Sequence, residues 1–187
     1  MGKVKGTAVA GRLGYVRARH GEAAVLRMVA AITDPAAREQ LADGRALKSQ
    51  WYPFSVLVDI SVALDREFGR GDLSLLEEVG GDVAEADLSG VYKIFFRVAN
   101  PHFIVDRAAS VWRNYYSSGD CVVVAKEEKA VTLEVREFDQ PHRAHCLAVL
   151  GWTKRTLVLT GCQGVTGRHT ECRTTGGQVC RFEGRWR

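Results

Sequence analysis

The spacing of the apolar residues changes once along this chain, close to Cys121. From Thr7 to about Ser117, apolar side chains recur every three or four positions, which is the spacing of amphipathic helices. From Cys121 onward they alternate with polar side chains, which is the spacing of half-buried strands. A helical half followed by strands predicts an α+β fold, in which a helical N-terminal layer packs on a four-stranded antiparallel sheet.

The first two predicted strands form a hairpin. The apolar run 121–125 is followed by alternating apolar residues over 131–135, and the chain turns between them at Lys126–Lys129. A helical pattern then runs from Pro141 to about Thr160. This helix separates the first hairpin from a second one, so two C-terminal hairpins flank one helix.

The second predicted hairpin contains two of the cysteines. It joins the runs 165–174 and 178–186 through Thr175–Gly177, where a glycine suits a backbone position with positive φ. In that register Cys172 lies directly opposite Cys180 on one face of the sheet. Two opposed cysteines can share a metal ion or pack together as small apolar side chains.

The length and composition predict one ordinary domain. The chain has 187 residues, of which 46% are hydrophobic, enough for one core, so we expect a single domain over 1–187. No apolar run approaches the roughly 18 residues that cross a bilayer, and Met1–Gly6 lack the apolar stretch of a secretory signal. We therefore expect a cytoplasmic protein with no membrane partner.

The basic residues lie mainly near the two ends of the chain. The formal net charge is +4, and Arg12, Arg17, Arg181 and Arg185 are among the terminal positive charges. Asp and Glu are interspersed with the basic residues elsewhere. This mixture predicts a solvated face rather than a nucleic-acid surface.

The cysteines do not form a disulfide framework. Five is an odd number, and in a cytoplasmic protein it favours free thiols or metal ligands. Cys121 lies inside an apolar strand pattern and Cys162 near a helix end. We predict that both are ordinary buried small residues.

Sequence motifs for catalysis are missing from the chain. It has no nucleophile elbow, no P-loop, no zinc-protease helix motif and no dinucleotide-binding glycine motif. Gly69–Gly71 lies between two helical patterns, so it predicts a helix end and a turn, with Asp72 as the next N-cap. We therefore predict that the protein is not an enzyme.

Two motifs near the C-terminus carry a family resemblance. Cys146-x4-Gly-Trp, followed by His169-x2-Cys-x7-Cys-x-Phe, resembles the 4-vinyl-reductase domain, which also forms the sensor domains of phenol-responsive transcription activators. The whole chain resembles more closely a myxobacterial paralogous family of unknown function. The segments that carry this second resemblance are Lys5-Gly6, Arg19–Gly21, Trp51–Phe54, Gly69–Asp72, Val91-Tyr92, Trp112–Tyr116 and Phe182–Trp186.

The resemblance implies the ligand-binding fold of the TRAPP vesicle-tethering subunits, which agrees with the α+β prediction. In the phenol sensors a Glu and three Cys hold a structural zinc ion. The resemblance therefore implies a zinc site at Cys146, Cys172 and Cys180, with His169 in the position of the Glu. Imidazole is as suitable a zinc ligand as carboxylate. Zinc is thus the cofactor that we consider, and the alternative is no cofactor.

The residues themselves leave the metal site open. His169 and Cys172 are three positions apart and point to opposite faces of a regular strand, so they converge only if a bulge or bend lies between them. His142 is an alternative fourth ligand, because it precedes Cys146 by one helical turn on the same face. His145 faces elsewhere. A metal-free cysteine pair in the core is the other interpretation.

The aromatic residues of the helical half are the second candidate site. They are numerous enough to line an apolar cavity between helices and sheet, or simply to fill the core. The candidate pocket residues are Trp51, Phe54, Phe96, Phe103, Trp112, Tyr115 and Trp152.

Two functions follow from these observations. The first is a signalling or sensor domain that binds a small apolar ligand between its layers and forms a homodimer. The second is a protein-interaction module without a ligand. A screen of apolar ligands separates the two, because a ligand that binds only the folded state raises its stability.

Overall fold

The computed structural model describes residues 2–88 and 100–187. The described helices are α1 (Gly6–His20), α2 (Glu22–Ala30), α3 (Pro35–Gln40), α4 (Phe54–Phe68), α5 (Leu75–Leu88), α6 (Pro101–Val105), α7 (Ala108–Tyr115) and α8 (Arg143–Leu159), with a 3₁₀ turn at Arg173–Thr175. The described strands are β1 (Lys3–Lys5), β2 (Trp51–Pro53), β3 (Asp120–Glu127), β4 (Ala130–Arg136), β5 (Thr166–Glu171) and β6 (Cys180–Arg185).

The C-terminal strands form one antiparallel sheet of four strands in the order β3-β4-β6-β5. This confirms the α+β prediction of helices packed on two hairpins that flank a helix. The first hairpin turns at Glu128 and Lys129, inside the predicted turn. A second, smaller sheet pairs β1 with β2, which the sequence pattern did not predict.

The second hairpin has a longer connection than predicted. β5 ends at Glu171, and the Glu171 carboxylate accepts hydrogen bonds from the backbone N–H groups of Gln178 (2.8 Å) and Val179 (3.3 Å). These bonds replace ladder bonds, so Cys172 lies beyond the strand rather than directly opposite Cys180. The glycine with positive φ is confirmed at Gly176, where φ is 93°.

Helices α5 and α8 touch backbone to backbone. A Cβ atom on Gly80 of α5 would collide with the carbonyl oxygen of Ala148, and one on Gly151 of α8 would collide with that of Glu77. Only glycine permits this approach, because any side chain would force the helices apart. The contact fixes α8 between α5 and the sheet.

The core is continuous through the described part of the molecule. Its largest fully buried side chains come mainly from α1, α2, α4 and the segments around them. α8 adds Ala144, Cys146 and Leu157, and the sheet adds Val135 and Phe182. None of the described helices is both long and apolar enough to span a membrane.

Candidate functional site

The structure brings together the four residues that the sequence suggested as metal ligands. The ligand atoms of Cys146, His169, Cys172 and Cys180 all lie within 4.8 Å of one another, and we call this group the Cys/His cluster. Cys146 comes from α8, His169 from β5, and Cys180 opens β6. Three sulfur atoms and one imidazole are a complete ligand set for a tetrahedral metal ion.

A β-bulge makes this convergence possible. The β5–β6 register shifts between His169 and Glu171, so His169 and Cys172 reach the same side of the sheet despite their spacing. The imidazole is stacked on the ring of Phe182, with centroids 4.7 Å apart and planes at 9°. The bulge that the spacing required is therefore present, and the stacking fixes the plane of the imidazole.

The atoms of the Cys/His cluster are arranged as metal ligands would be. Cys146 Sγ donates a hydrogen bond to Cys180 Sγ at 3.6 Å, whereas sulfurs about 2.3 Å from one tetrahedral ion are about 3.8 Å apart. His169 Nε2 is buried without a hydrogen-bond partner in the described chain. The Cys146 thiol and then the His169 ring lower the pKa of Cys180, whereas the pKa of Cys146 is raised. The pair thus favours one thiolate.

The two alternative histidines lie outside the Cys/His cluster. His142 is the N-cap of α8, where its Nδ1 accepts a hydrogen bond from the Ala144 N–H at 3.2 Å, so it is not the fourth ligand. His145 is buried among aromatic rings, including those of Phe54 (5.1 Å between centroids) and Tyr116 (4.8 Å). The metal-free pairing of Cys146 with Cys180 remains compatible with the distances.

An apolar cavity lies between the helices and the sheet. Its volume is about 120 Å³, and its wall is made by α1, α5, α6, α7, α8 and three strands of the four-stranded sheet. The apolar wall residues include the two indole side chains of Trp112 and Trp152. The residues that line it include Ala8, Arg12, Ala108, Trp112, Tyr115, Cys121, Leu133, Trp152 and Phe182.

The predicted pocket residues divide into two groups. Trp112, Tyr115 and Trp152 line the cavity. Trp51 and Phe103 do not, because their side chains lie on the surface, 37% and 51% exposed. Lys5 Nζ covers the Trp51 ring at 4.8 Å, and the Arg107 guanidinium covers that of Phe103.

Phe54 and Phe96 are the remaining predicted pocket residues. Phe54 is fully buried, but it packs edge-on against Phe138 and His145 in the core instead of facing the cavity. Phe96 lies outside the described residues. Aromatic composition alone did not distinguish core from cavity wall, because both environments bury the same rings.

Arg12 is the polar residue that the sequence interpretation missed. The sequence pattern predicts a solvated side chain at Arg12, but this residue is only 5% exposed and lines the cavity. Its position four residues after Ala8 puts both side chains on one face of α1. This spacing could have indicated that Arg12 faces the core with Ala8. The positive charge of Arg12 instead led to the prediction of an exposed side chain.

Two other polar groups of the cavity wall are hydrogen-bonded. The Tyr115 hydroxyl donates to the Asp87 carboxylate at 2.7 Å, and burial raises the pKa of Asp87. The Trp112 indole N–H donates to the Ser118 carbonyl at 3.0 Å. Burial also raises the pKa of the Cys121 thiol to about 12, so this sulfur is a neutral part of the wall.

Sequence comparison and structure comparison give different results. No protein-family model and no curated protein matches the chain. A solved Fe(II) unliganded H-NOX protein mutant from K. algicida has 15% identity and a TM-score of 0.72, with 98% of this chain and 96% of that chain covered. An H-NOX protein from S. oneidensis in the Fe(II)NO state has 14% identity and a TM-score of 0.75, with 98% and 99% covered.

A third structure extends the likeness. It is an oxygen-binding H-NOX domain related to soluble guanylate cyclases, with 11% identity, a TM-score of 0.70, and 98% and 95% of the two chains covered. At such identities the likeness establishes the fold. The chain has the fold of the H-NOX proteins.

Two expectations are corrected by these neighbours. The resemblance to the 4-vinyl-reductase and myxobacterial families, with a TRAPP-like fold, is wrong, because the neighbours are H-NOX proteins. The expected cofactor, zinc or none, is also wrong, because the neighbours are Fe(II) proteins whose family is studied for its heme distortion, and they point to heme. The cysteine motif covers only one hairpin and the helix beside it, so it does not determine the fold of the whole chain.

Proposed function

We propose that the chain is a non-enzymatic sensor domain that holds a small ligand in the cavity between its helices and its sheet. In this proposal the whole chain, 1–187, acts as one domain. The observation that carries it is the apolar cavity of about 120 Å³ in a fold shared with gas-liganded proteins. Concave apolar space with few polar groups is the usual form of a small-molecule site.

The structural neighbours imply heme as the cofactor, so the proposed ligand depends on whether the residues of the cavity wall can bind heme iron. Heme iron needs an axial ligand such as imidazole, thiolate or phenolate. The described wall contains no histidine. Burial raises the pKa of Cys121 and of Tyr116 to about 12 and also raises the pKa of Tyr115, which disfavours the thiolate and phenolate forms that heme iron binds.

The histidine that is nearest in sequence to a wall residue, His102, does not supply the missing axial ligand. His102 belongs to α6, which contributes Ile104 and Val105 to the wall, but its own ring does not line the cavity. Its Nε2 lies 3.2 Å from the Glu128 carbonyl oxygen, and its Nδ1 is buried without a hydrogen-bond partner among the described residues. Its ring packs against Trp186 at 5.7 Å between centroids. The described residues therefore do not fit heme iron, and no step in this proposal passes through it.

The size of the cavity indicates the size of the ligand. Its volume of about 120 Å³ is close to that of an engineered protein cavity of about 150 Å³ that binds benzene. One aromatic ring between Trp112 and Trp152 fits this volume. Ligand binding can then shift α7 and α8, which supply these two side chains, by favouring one of their packing arrangements.

The Cys/His cluster has a structural role in this proposal. It holds a divalent transition-metal ion of the kind that thiolate and imidazole ligands bind well. Such an ion ties α8 to the β5–β6 hairpin, because Cys146 comes from the helix and the other three ligands come from the hairpin. The position of the His169 ring, whose ligand atom lies within 4.8 Å of the three sulfur atoms, supports this role.

Tryptophan fluorescence tests the proposed function, because two of the four tryptophans line the cavity. We expect toluene or benzamide to change the emission in a saturable manner. The Ala108→Phe variant, which fills the cavity, should lose the response. Ser110→Phe on the exposed side of the same helix is the matched control and should keep it. A wild-type protein that responds to no single-ring compound is a protein-interaction module instead.

A hemin titration followed in the Soret region tests the fit of heme separately. The described wall predicts that no histidine-ligated heme spectrum forms. A histidine-ligated spectrum that is lost in His102→Ala would show that this ring turns into the cavity, and would overturn the fit result.

A further inference from the structure

Arg12 is a buried cation that has no partner among the described residues. Its side chain lines the cavity and is 5% exposed, and its Nε has no hydrogen-bond partner in the part of the chain that the structure describes. The Arg12 guanidinium forms neither a hydrogen bond nor an ion pair with any residue in 2–88 or 100–187. A guanidinium stays protonated in proteins, so its charge persists in this apolar wall.

Such an arrangement is costly in an isolated protein. A buried charge without a partner is strongly unfavourable, and most buried charges are paired or hydrogen-bonded. Burial, the largest influence on this group, lowers the pKa of Arg12. The acid facing it is Asp87, but that carboxylate already accepts the Tyr115 hydroxyl and is not ion-paired with Arg12.

We infer that the ligand of the cavity is a small aromatic monocarboxylic acid, whose carboxylate pairs with the Arg12 guanidinium while its ring lies between Trp112 and Trp152. This inference rests on the proposed function, because it requires a ligand in the cavity. It names the chemical class that the proposed function leaves open.

The shape and charge of the site select this class. A guanidinium presents a planar fork of N–H donors, which matches the two oxygens of a carboxylate. The site offers one buried cation, so a single negative charge is neutralised, whereas a phosphate dianion would leave a second charge in an apolar wall. The volume of about 120 Å³ has room for one ring rather than a long acyl chain.

Benzoate and benzamide are the matched probes, because they have nearly the same shape and differ in charge. We expect benzoate to bind wild-type protein about tenfold more tightly than benzamide, or better, because hydrogen bonds to charged groups are the strong ones. Binding is measured by tryptophan fluorescence and by the rise in Tm at saturating ligand. Equal affinity for the two probes would overturn the inference.

The variant Arg12→Met distinguishes ligand recognition from a structural role. Methionine keeps the length of the side chain and removes the charge, so the ligand-free protein should have a higher Tm than the wild type. The same variant should bind benzoate at least about tenfold more weakly and keep its affinity for benzamide. Arg19→Met, on the exposed part of α1, is the control and should change neither affinity. A lower Tm with unchanged benzoate affinity would contradict the inference.

The outcomes separate the two proposals. If neither probe binds the wild type, the cavity is not a ligand site and the proposed function fails. If both bind equally, the proposed function stands and the inference about the acid fails. If Arg12→Met does not fold, the wild-type comparison of the two probes decides alone.

Discussion

The Cys/His cluster and the cavity are neighbouring regions built in opposite ways. The cluster takes three of its four ligands from one stretch of 12 residues, His169 to Cys180, and all four are chemically distinctive. The cavity is assembled from five helices and three strands, and most of its wall consists of common apolar residues. A local motif can therefore be found from the chain alone, whereas a cavity depends on how the layers are spaced.

The two regions also share structural elements. α8 contributes Cys146 to the cluster and Trp152 to the cavity, and Phe182 of β6 stacks on His169 while it lines the cavity. Substitutions confined to one region should leave the other region able to bind its own ligand. Changes in the shared elements should affect both.

The largest effect is expected in the Cys/His cluster. With Co(II) at about a thousand times its Kd, the folded wild type should gain about 4 kcal/mol, and Cys180→Ser should lose this gain. Thiolate-to-cobalt absorption and urea unfolding measure it. Cys162→Ala removes a buried thiol outside the cluster and should keep the cobalt spectrum. An unchanged cobalt affinity in Cys180→Ser would rule out the metal site, and the benzamide response should persist in both variants.

The contact between α5 and α8 should be the next most sensitive position. In Gly151→Ala the new Cβ collides with the Glu77 carbonyl, so we expect a loss of about 3 kcal/mol and weaker binding in both regions. The control is Gly14→Ala in α1, whose Cβ meets nothing within 4 Å. It should gain about 0.5–1 kcal/mol, because alanine favours a helix. Similar urea midpoints for the two variants would contradict this account of the helix contact.

Phe182 should couple the two regions. We expect Co(II) to change the affinity for benzamide about fivefold in the wild type, which is at the lower end of measured coupling between sites. Phe182→Leu should remove most of this coupling at a cost in stability of about 1 kcal/mol. Phe138→Leu alters a buried ring outside the cavity wall and the cluster, so it should preserve the coupling. Equal coupling in both variants would exclude Phe182 as the connection.

The smallest expected effects concern the pH dependence of the free energy of unfolding, to which two carboxyl groups should contribute with opposite signs. Arg136 and then Arg181 lower the pKa of Glu134, so its contribution is present above the ordinary pKa and is lost as the pH falls. Burial raises the pKa of Asp87, so its contribution is present at low pH and is lost as the pH rises through the raised value.

Variants that remove each carboxyl group should show these two pH dependences of stability. Relative to wild type, Glu134→Gln should be destabilised most at neutral pH, and Asp87→Asn most below about pH 4, each by roughly 1 kcal/mol or less. Urea unfolding between about pH 3 and pH 7 measures both. Parallel pH profiles for the two variants would show that the two carboxyl groups do not differ in this way.

The sequence predicted the sheet because alternation specifies which strand faces are buried, and the pairing of 121–125 with 131–135 follows from it. It did not predict the end of β5, because the Glu171 side chain replaces ladder bonds there. The sequence motifs predicted that the four residues of the Cys/His cluster lie together, but the family resemblance drawn from those motifs was wrong. It missed Arg12, because the burial of a charged side chain follows from tertiary packing and not from residue type.

The most direct test of the ligand cavity is a crystal structure of the protein soaked with benzoate. The account predicts density for one ring between Trp112 and Trp152, with the carboxylate facing Arg12. A cavity filled by side chains of the protein itself, with benzoate absent at saturating concentration, would contradict it.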